Sequence, residues 1–118
     1  MPRDDETPPP LTPATFHILL ALVDEERHGY AIMQEIAERT DGAVKLGPGT
    51  LYGSLKRMLD QGLVEESDER ADPALDDERR RYYGITRRGL DVARAEARRL
   101  DSLVRVARQK KLIGRATA

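Results

Sequence analysis

Four breaks cut this chain of 118 residues into short helical pieces: Gly29 in "RHGY", Asp41-Gly42, the Gly-Pro-Gly of residues 47–49, and Gly62. Proline has no amide hydrogen and a fixed φ, so Pro48 is tolerated in a helix only in its first turn. Glycine accepts the left-handed backbone in which many helices end. Between the breaks, apolar residues recur at helical spacing. Thr12-Pro13 offers an N-cap followed by proline at the first helical position. Phe16, Leu19, Leu20 and Val23 then fall at i, i+3, i+4 and i+7, which predicts an amphipathic helix over 13–26, stopped by a left-handed Gly29. A second helix is expected over 30–39, burying Tyr30, Met33, Ile36 and Ala37 and ended by Asp41-Gly42. "AVKL" reads as a brief strand or an extended connection. A third helix should start near Pro48 and run to Gln61, with Leu51, Leu55, Met58 and Leu59 as its apolar back and Gly62 as its break.

"LVEESDE" and "RRRYYGI" have strand length and are joined by the polar "RADPALDDE", so they read as a hairpin with a long tip. Leu63 and Val64 would enter the core, and Tyr83 and Ile85 would share one face of the return strand. From Thr86, a good N-cap, to about Lys111 the pattern is one long helix. Its Leu90, Ala93, Ala97, Leu100, Val104 and Ala107 are spaced 3, 4, 3, 4 and 3, the seam of a coiled coil. Such a helix is longer than one small head can cover, so a homodimer through this seam is expected. Packing of the seam on the chain's own first helix is the alternative. The reading is mainly α, in the α+β class. It divides the chain into a charged, proline-rich disordered tail over 1–11, a compact head over 12–86, the final helix over 87–111 and a flexible tail over 112–118.

Composition narrows the function classes. With no cysteine there is neither a disulfide framework nor a thiolate metal site. No apolar run approaches the roughly 20 residues of a membrane span, and the acidic start lacks the features of a signal peptide, so a cytoplasmic location is the simplest expectation. The formal net charge is −1, but the signs are segregated. From Asp60 to Glu78 Arg70 is the only cation, whereas "RRRYYGITRRG" holds five arginines and no acid. A near-neutral total therefore conceals a basic stretch of the kind that meets phosphates, or else a merely solvated run.

Three compact helices followed by a two-stranded hairpin describe a winged helix-turn-helix, whose third helix lies in a DNA major groove. On that reading Gly47 and Gly49 let the backbone approach a phosphate, Thr50 and Ser54 donate to phosphate or base, and Tyr52 reaches the sugar edge or a thymine methyl. Lys45, Lys56 and Arg57 supply cations. Tyr52 as a core residue is the plainer alternative. Arg79, Arg80 and Arg81 sit where a wing meets flanking backbone, while Asp76, Asp77 and Glu78 would keep the tip itself in solvent. Strand alternation sends Arg80 to the face opposite Arg79 and Arg81.

"HGYAIMQEI", "LGPGTLYGSLKRMLDQGLVEE" and "RRRYYGITRRG", in this order and spacing over about residues 13–95, closely resemble the PadR family of bacterial transcriptional regulators. The resemblance implies a homodimer formed by the C-terminal helix, binding a roughly palindromic double-stranded DNA operator and usually repressing. The single helix after the wing is similar to the short-tailed members. Carried over, the DNA-contacting positions are Gly49, Thr50, Tyr52, Ser54 and Lys56, with Arg80 or Arg81 in the wing. His28, Gly29 and Tyr30 match a motif that is structural, a turn and a core tyrosine. A small-molecule effector is a further implied partner. An aromatic pocket stacked by tryptophan does not fit a chain with no Trp and one Phe.

An enzyme would need a nucleophile with its base, paired carboxylates in a cleft, a phosphate loop or a metal cluster. His17 and His28 with Asp24, Glu25 and Glu26 match no ordinary zinc spacing, and residues 47–54 lack the Gly-Lys-Ser/Thr of a P-loop. Neither catalysis nor a cofactor is expected. The remaining alternative is a winged-helix adaptor that binds protein and no DNA; unlike a phosphate binder, it would show no salt-dependent duplex affinity.

Overall fold

The computed structural model describes residues 9–67 and 81–114. Its elements are α1 (Pro13–Leu22), β1 (Arg27–His28), α2 (Gly29–Arg39), α3 (Pro48–Asp60), β2 (Val64–Ser67), β3 (Tyr82–Ile85) and α4 (Arg87–Gln109). The strands form one antiparallel sheet in the order β1-β3-β2. β2 and β3 are the expected hairpin, with Val64 opposite Ile85 and Ser67 opposite Tyr82. Its tip, with Asp76, Asp77, Glu78, Arg79 and Arg80, lies outside the described residues, as do residues 1–8 and 115–118. This is the α+β arrangement of a winged helix.

The core gathers Ile18, Leu19, Ala21 and Leu22 of α1 with Ile32 and Ile36 of α2 and Leu51, Leu55 and Met58 of α3. Leu63, Val64, Tyr83, Val92 and Ala93 close it. The expected phase of α1 needs correction: Leu20 and Val23 are 38% and 49% exposed, while Ile18, Ala21 and Leu22 are buried. The helix touches α2, α3, β3 and α4 on different sides, so the face at i, i+3, i+4 was one of several apolar choices. It also stops at Leu22 rather than near residue 26. Arg27 accounts for that end. Its Nε donates to the Ala21 carbonyl at 2.7 Å, satisfying a helix-end acceptor with a cation. Arg27 then pairs with Tyr83 of β3, making the short strand that periodicity could not reveal.

Gly29 does not take the left-handed conformation expected of it; among glycines only Gly42 (φ 81°) and Gly62 (φ 76°) do. It opens α2, capped by the His28 side chain, whose Nδ1 accepts from the Ala31 amide at 3.1 Å. The His28 ring meets Tyr82 edge-on at 5.3 Å. Gly62 ends α3 as expected: the Leu63 amide reaches back to the Met58 carbonyl at 2.9 Å and Gly62 to Leu59 at 3.1 Å. Such a pair of bonds needs the left-handed residue between them. The chain is thereby turned so that Leu63 and Val64 enter the core.

Thr86 caps α4, accepting from the Gly89 amide at 3.0 Å, while its hydroxyl donates to the Gly62 carbonyl at 2.6 Å. Both ends of the hairpin are thus tied to one residue. Gly89 lies against the Leu63 backbone so closely that a Cβ would overlap the Leu63 carbonyl oxygen, with the Ile85 Cγ1 2.9 Å away. The first half of α4 buries Val92, Ala93 and Glu96 on the head. The second half, in a helix roughly 34 Å long by the ordinary rise, leaves Leu103, Val104 and Val106 exposed at 55%, 36% and 44%.

At the start of the described head Leu11 packs on the core, and its amide donates to Glu96 Oε1 at 3.3 Å. At the other end the Leu112 amide bonds the Ala107 carbonyl at 2.9 Å, and Arg108 Nε donates to the Gly114 carbonyl at 3.0 Å.

Candidate nucleic-acid interface

α3 has two unlike faces. Leu51, Leu55 and Met58 are at most 1% exposed and fix the helix to the core. At 100° per residue the direction opposite to them is occupied by Gly49, Gly53, Lys56 and Asp60, flanked by Thr50 and Arg57. Thr50, Lys56 and Arg57 are exposed, as are Gly49 in the first turn and Lys45 just before the helix. A Cβ placed on Gly47 or Gly49 would meet nothing within 4 Å among the described residues. The entry to the helix is therefore bare backbone, with amide hydrogens pointing out of its first turn.

Two of the residues expected on this front sit differently. Ser54 is 2% exposed and belongs to the inner face, where its Oγ accepts from Arg57 Nη2 at 3.3 Å. It steadies Arg57 rather than reaching out. Tyr52 is half-buried at the flank, its ring laid over Gly29, so that a Cβ there would stand 2.6 Å from the ring Cζ. That contact joins the start of α2 to α3. It gives Gly29 a reason that the sequence alone did not offer. Tyr30, expected in the core, is 42% exposed beside it.

Arg81 is exposed at the foot of the wing; Arg80 lies outside the described residues. Lys45, Lys56 and Arg57 make no ion pair among the described residues, whose pairs lie between α1 and β1, within α2 and within α4. Sequence reasoning passed over Gly53, a glycine in the interior of α3 where a Cβ would meet, among the described residues, just the end of the Arg57 side chain at 3.7 Å. Its signal was the ordinary cost of glycine inside a helix.

The expected seam of α4 is divided. Ala93 is buried in the chain's own core, so it is not available to a second copy. Leu90, Leu100 and Ala107 are half-buried, and Ala97 and Val104 are exposed. Between α1 and the middle of α4 runs a groove of about 350 Å³, lined in part by Phe16, His17, Leu20, Glu96, Arg99 and Leu100. Hydrogen bonds from Arg99 hold the nearly buried Glu96 carboxyl below the usual carboxylate range against the opposing effect of burial, and the Leu11 amide adds to this. Burial and then the Arg39 guanidinium push the His17 imidazole below its ordinary value, although Glu35 works the other way. Arg39 Nη1 lies 3.1 Å from His17 Nδ1 and ties α2 to α1.

Among the described residues no three His, Asp or Glu side chains gather where they could hold a metal ion. No described helix is long and apolar enough to cross a membrane.

Known proteins share this plan. The model of the transcriptional regulator PadR-like family matches residues 18–95. The chain is 34% identical over 89 residues to the transcriptional regulator Rv3488 of Mycobacterium tuberculosis, covering 75% of this chain and 77% of that protein. It is 36% identical over 86 residues, 73% of its length, to an uncharacterised transposon protein of Streptomyces fradiae, of which it spans only 22%. An uncharacterised Lysinibacillus sphaericus protein is 32% identical over 72 residues, 61% of this chain, which spans 63% of it. The crystal structure of a PadR family transcription regulator from Clostridium difficile superposes with a TM-score of 0.67 at 26% identity, covering 81% of this chain and 95% of that one. With the family model matching most of the head and the start of α4, this chain belongs to the PadR-like family of transcriptional regulators.

Proposed function

We propose that the chain acts as a homodimer that sets two copies of α3 into successive major grooves of a palindromic operator, repressing the gene beside it. The observation that carries this is the outer face of α3, a bare backbone entry at Gly47 and Gly49 beside exposed Thr50, Lys56 and Arg57, with Lys45 close by. Among the described residues no other element packs on its Gly47 and Gly49 entry. A major groove about 12 Å wide admits one helix, and its walls are phosphates. Lys45, Lys56, Arg57 and Arg81 supply affinity, with Arg80 assigned the same role. Gly49 brings the backbone close, and Thr50 and the edge of Tyr52 read the bases. Ser54 has no part in the contact, because it is buried.

On this reading residues 12–86 are the DNA-binding unit and 87–111 the dimerisation helix. The second half of α4, with Leu100, Leu103, Val104, Val106 and Ala107, pairs with its counterpart and keeps the two α3 helices about one DNA turn, ~34 Å, apart. A small-molecule effector acts through α1 and α4 by changing that separation.

The experiment is selection of bound duplexes from a random pool, followed by affinity across a salt series. Affinity should fall steeply with salt, and Lys56→Ala should lower the logarithmic slope by about 0.9 while weakening all duplexes alike. Thr50→Ala should also change sequence preference. A chain that stays monomeric, or selects no duplex in dilute salt, would show the proposal to be wrong.

A further inference from the structure

We infer that Gly53 is a DNA-contacting residue of α3 that works through its missing side chain, letting the middle of the helix lie against the base-pair edges of the groove. This rests on the DNA-binding reading above and goes beyond its contact set. Gly53 stands in the interior of a helix running from Pro48 to Asp60. Glycine there is less favourable than alanine, because the unfolded chain loses more backbone freedom. Some interaction must offset that cost.

Among the described residues nothing does so. The backbone at Gly53 is not left-handed, since the positive-φ glycines are Gly42 and Gly62. Close packing does not require it either. Among the described residues a Cβ there would meet only the tip of Arg57, at 3.7 Å, an ordinary contact with a flexible end. Gly29 and Gly89 show what a packing requirement looks like in this molecule, with a tyrosine ring or a main-chain carbonyl where a methyl group would go. The described residues therefore give Gly53 no packing reason, and we place that reason in a bound duplex. Its position says where: opposite the buried Leu51, Leu55 and Met58, one turn after Gly49 and Thr50 and one turn before Lys56 and Arg57.

The same stripe supplies a direction. It runs from Gly49 through Gly53 to Lys56 and then to Asp60, which is exposed and repels phosphate. The N-terminal half of α3 enters the groove deeply and the C-terminal end tilts out. A side chain at position 53 would hold the helix off at the point where the cations on either side still reach their phosphates.

The test compares the full chain with Gly53→Ala and Gly53→Leu, using a labelled duplex recovered by the wild-type protein, with Lys56→Ala in parallel. Gly53→Ala should fold and melt roughly 4 °C higher. It should bind the selected duplex at least ~10-fold more weakly, with an unchanged salt slope because no phosphate contact is lost. Gly53→Leu should lose more. If both variants bind as tightly as wild type, the inference fails while the DNA reading stands. If Gly53→Ala melts lower, the glycine serves the fold and the inference fails again. If the wild-type chain selects no duplex, the reading beneath it fails, and this falls with it.

Discussion

The glycines at two helix junctions and those along the front of α3 stand in opposite conditions. At Gly29 and Gly89 the neighbouring element occupies the space of the missing side chain: the Tyr52 ring in one case, the Leu63 main chain and Ile85 in the other. At Gly47, Gly49 and Gly53 that space is, among the described residues, open or bounded only by the end of a flexible arginine. The first pair lets α2 seat α3 and lets α4 pass close under the wing. No packing among the described residues requires the second group to be glycine, and Gly53 costs its helix stability. The same residue type therefore marks the interior of the molecule at one place and its working surface at another.

Three substitutions probe the interior side of that contrast. Gly89→Ala should have the largest effect, because the carbonyl it meets belongs to the backbone and cannot rotate away. We expect a loss of at least about 3 kcal/mol by urea unfolding, enough to leave little native protein. A stable Gly89→Ala would break the comparison outright. Gly29→Ala should cost less, about 2 kcal/mol, since the tyrosine ring it meets can swing aside. Combining it with Tyr52→Ala should give a loss smaller than the sum of the two single losses, because the clash is already relieved. Strict additivity would mean that Tyr52 is not the reason for Gly29.

Glu96→Gln should have the smallest effect, about 1 kcal/mol at neutral pH, from weakening the charged hydrogen bonds of Arg99 and the Leu11 amide. Here the pH sign is informative. The Glu96 carboxyl is held below its ordinary value in the folded chain, so its contribution is present above the unfolded value of 4.5. It is lost as pH falls through the lower, folded value. The gap between wild type and Glu96→Gln in thermal midpoint should therefore close on acidification. A gap that widened would assign the effect to packing.

Much of the fold was legible beforehand for identifiable reasons. Pro48 and Gly62 bounded α3 to within a residue of its ends. Thr12 and Thr86 announced α1 and α4 by capping chemistry, and both side chains do accept the expected amides. What failed was phase and purpose. Tyr30 and Leu20 were placed inward by periodicity and stand exposed, because α1 and α2 meet neighbours on more sides than a two-sided pattern assumes. Ser54 looked polar enough for the front and lies on the back, where a hydrogen bond from Arg57 satisfies it. The strand at Arg27 and His28 is two residues long and has no periodicity to detect.

The α4 seam shows the same limit. Its heptad spacing was plain in the sequence, but whether Ala93 faces a second chain or its own was not. The answer is its own core, leaving the exposed apolar residues farther along, at Leu103, Val104 and Val106.

Local chemistry by itself determined where α1, α3 and α4 begin, where α2 and α3 end, which segments pair as the wing, and the charge carried by the third helix. These depend on caps, breakers and spacing, which act over one or two turns. Only the tertiary structure decided which glycines the fold requires, which residues of α3 are left to face outward, and how much of α4 remains uncovered. Those are questions about what occupies the space beside a residue, and the occupant comes from a distant part of the chain.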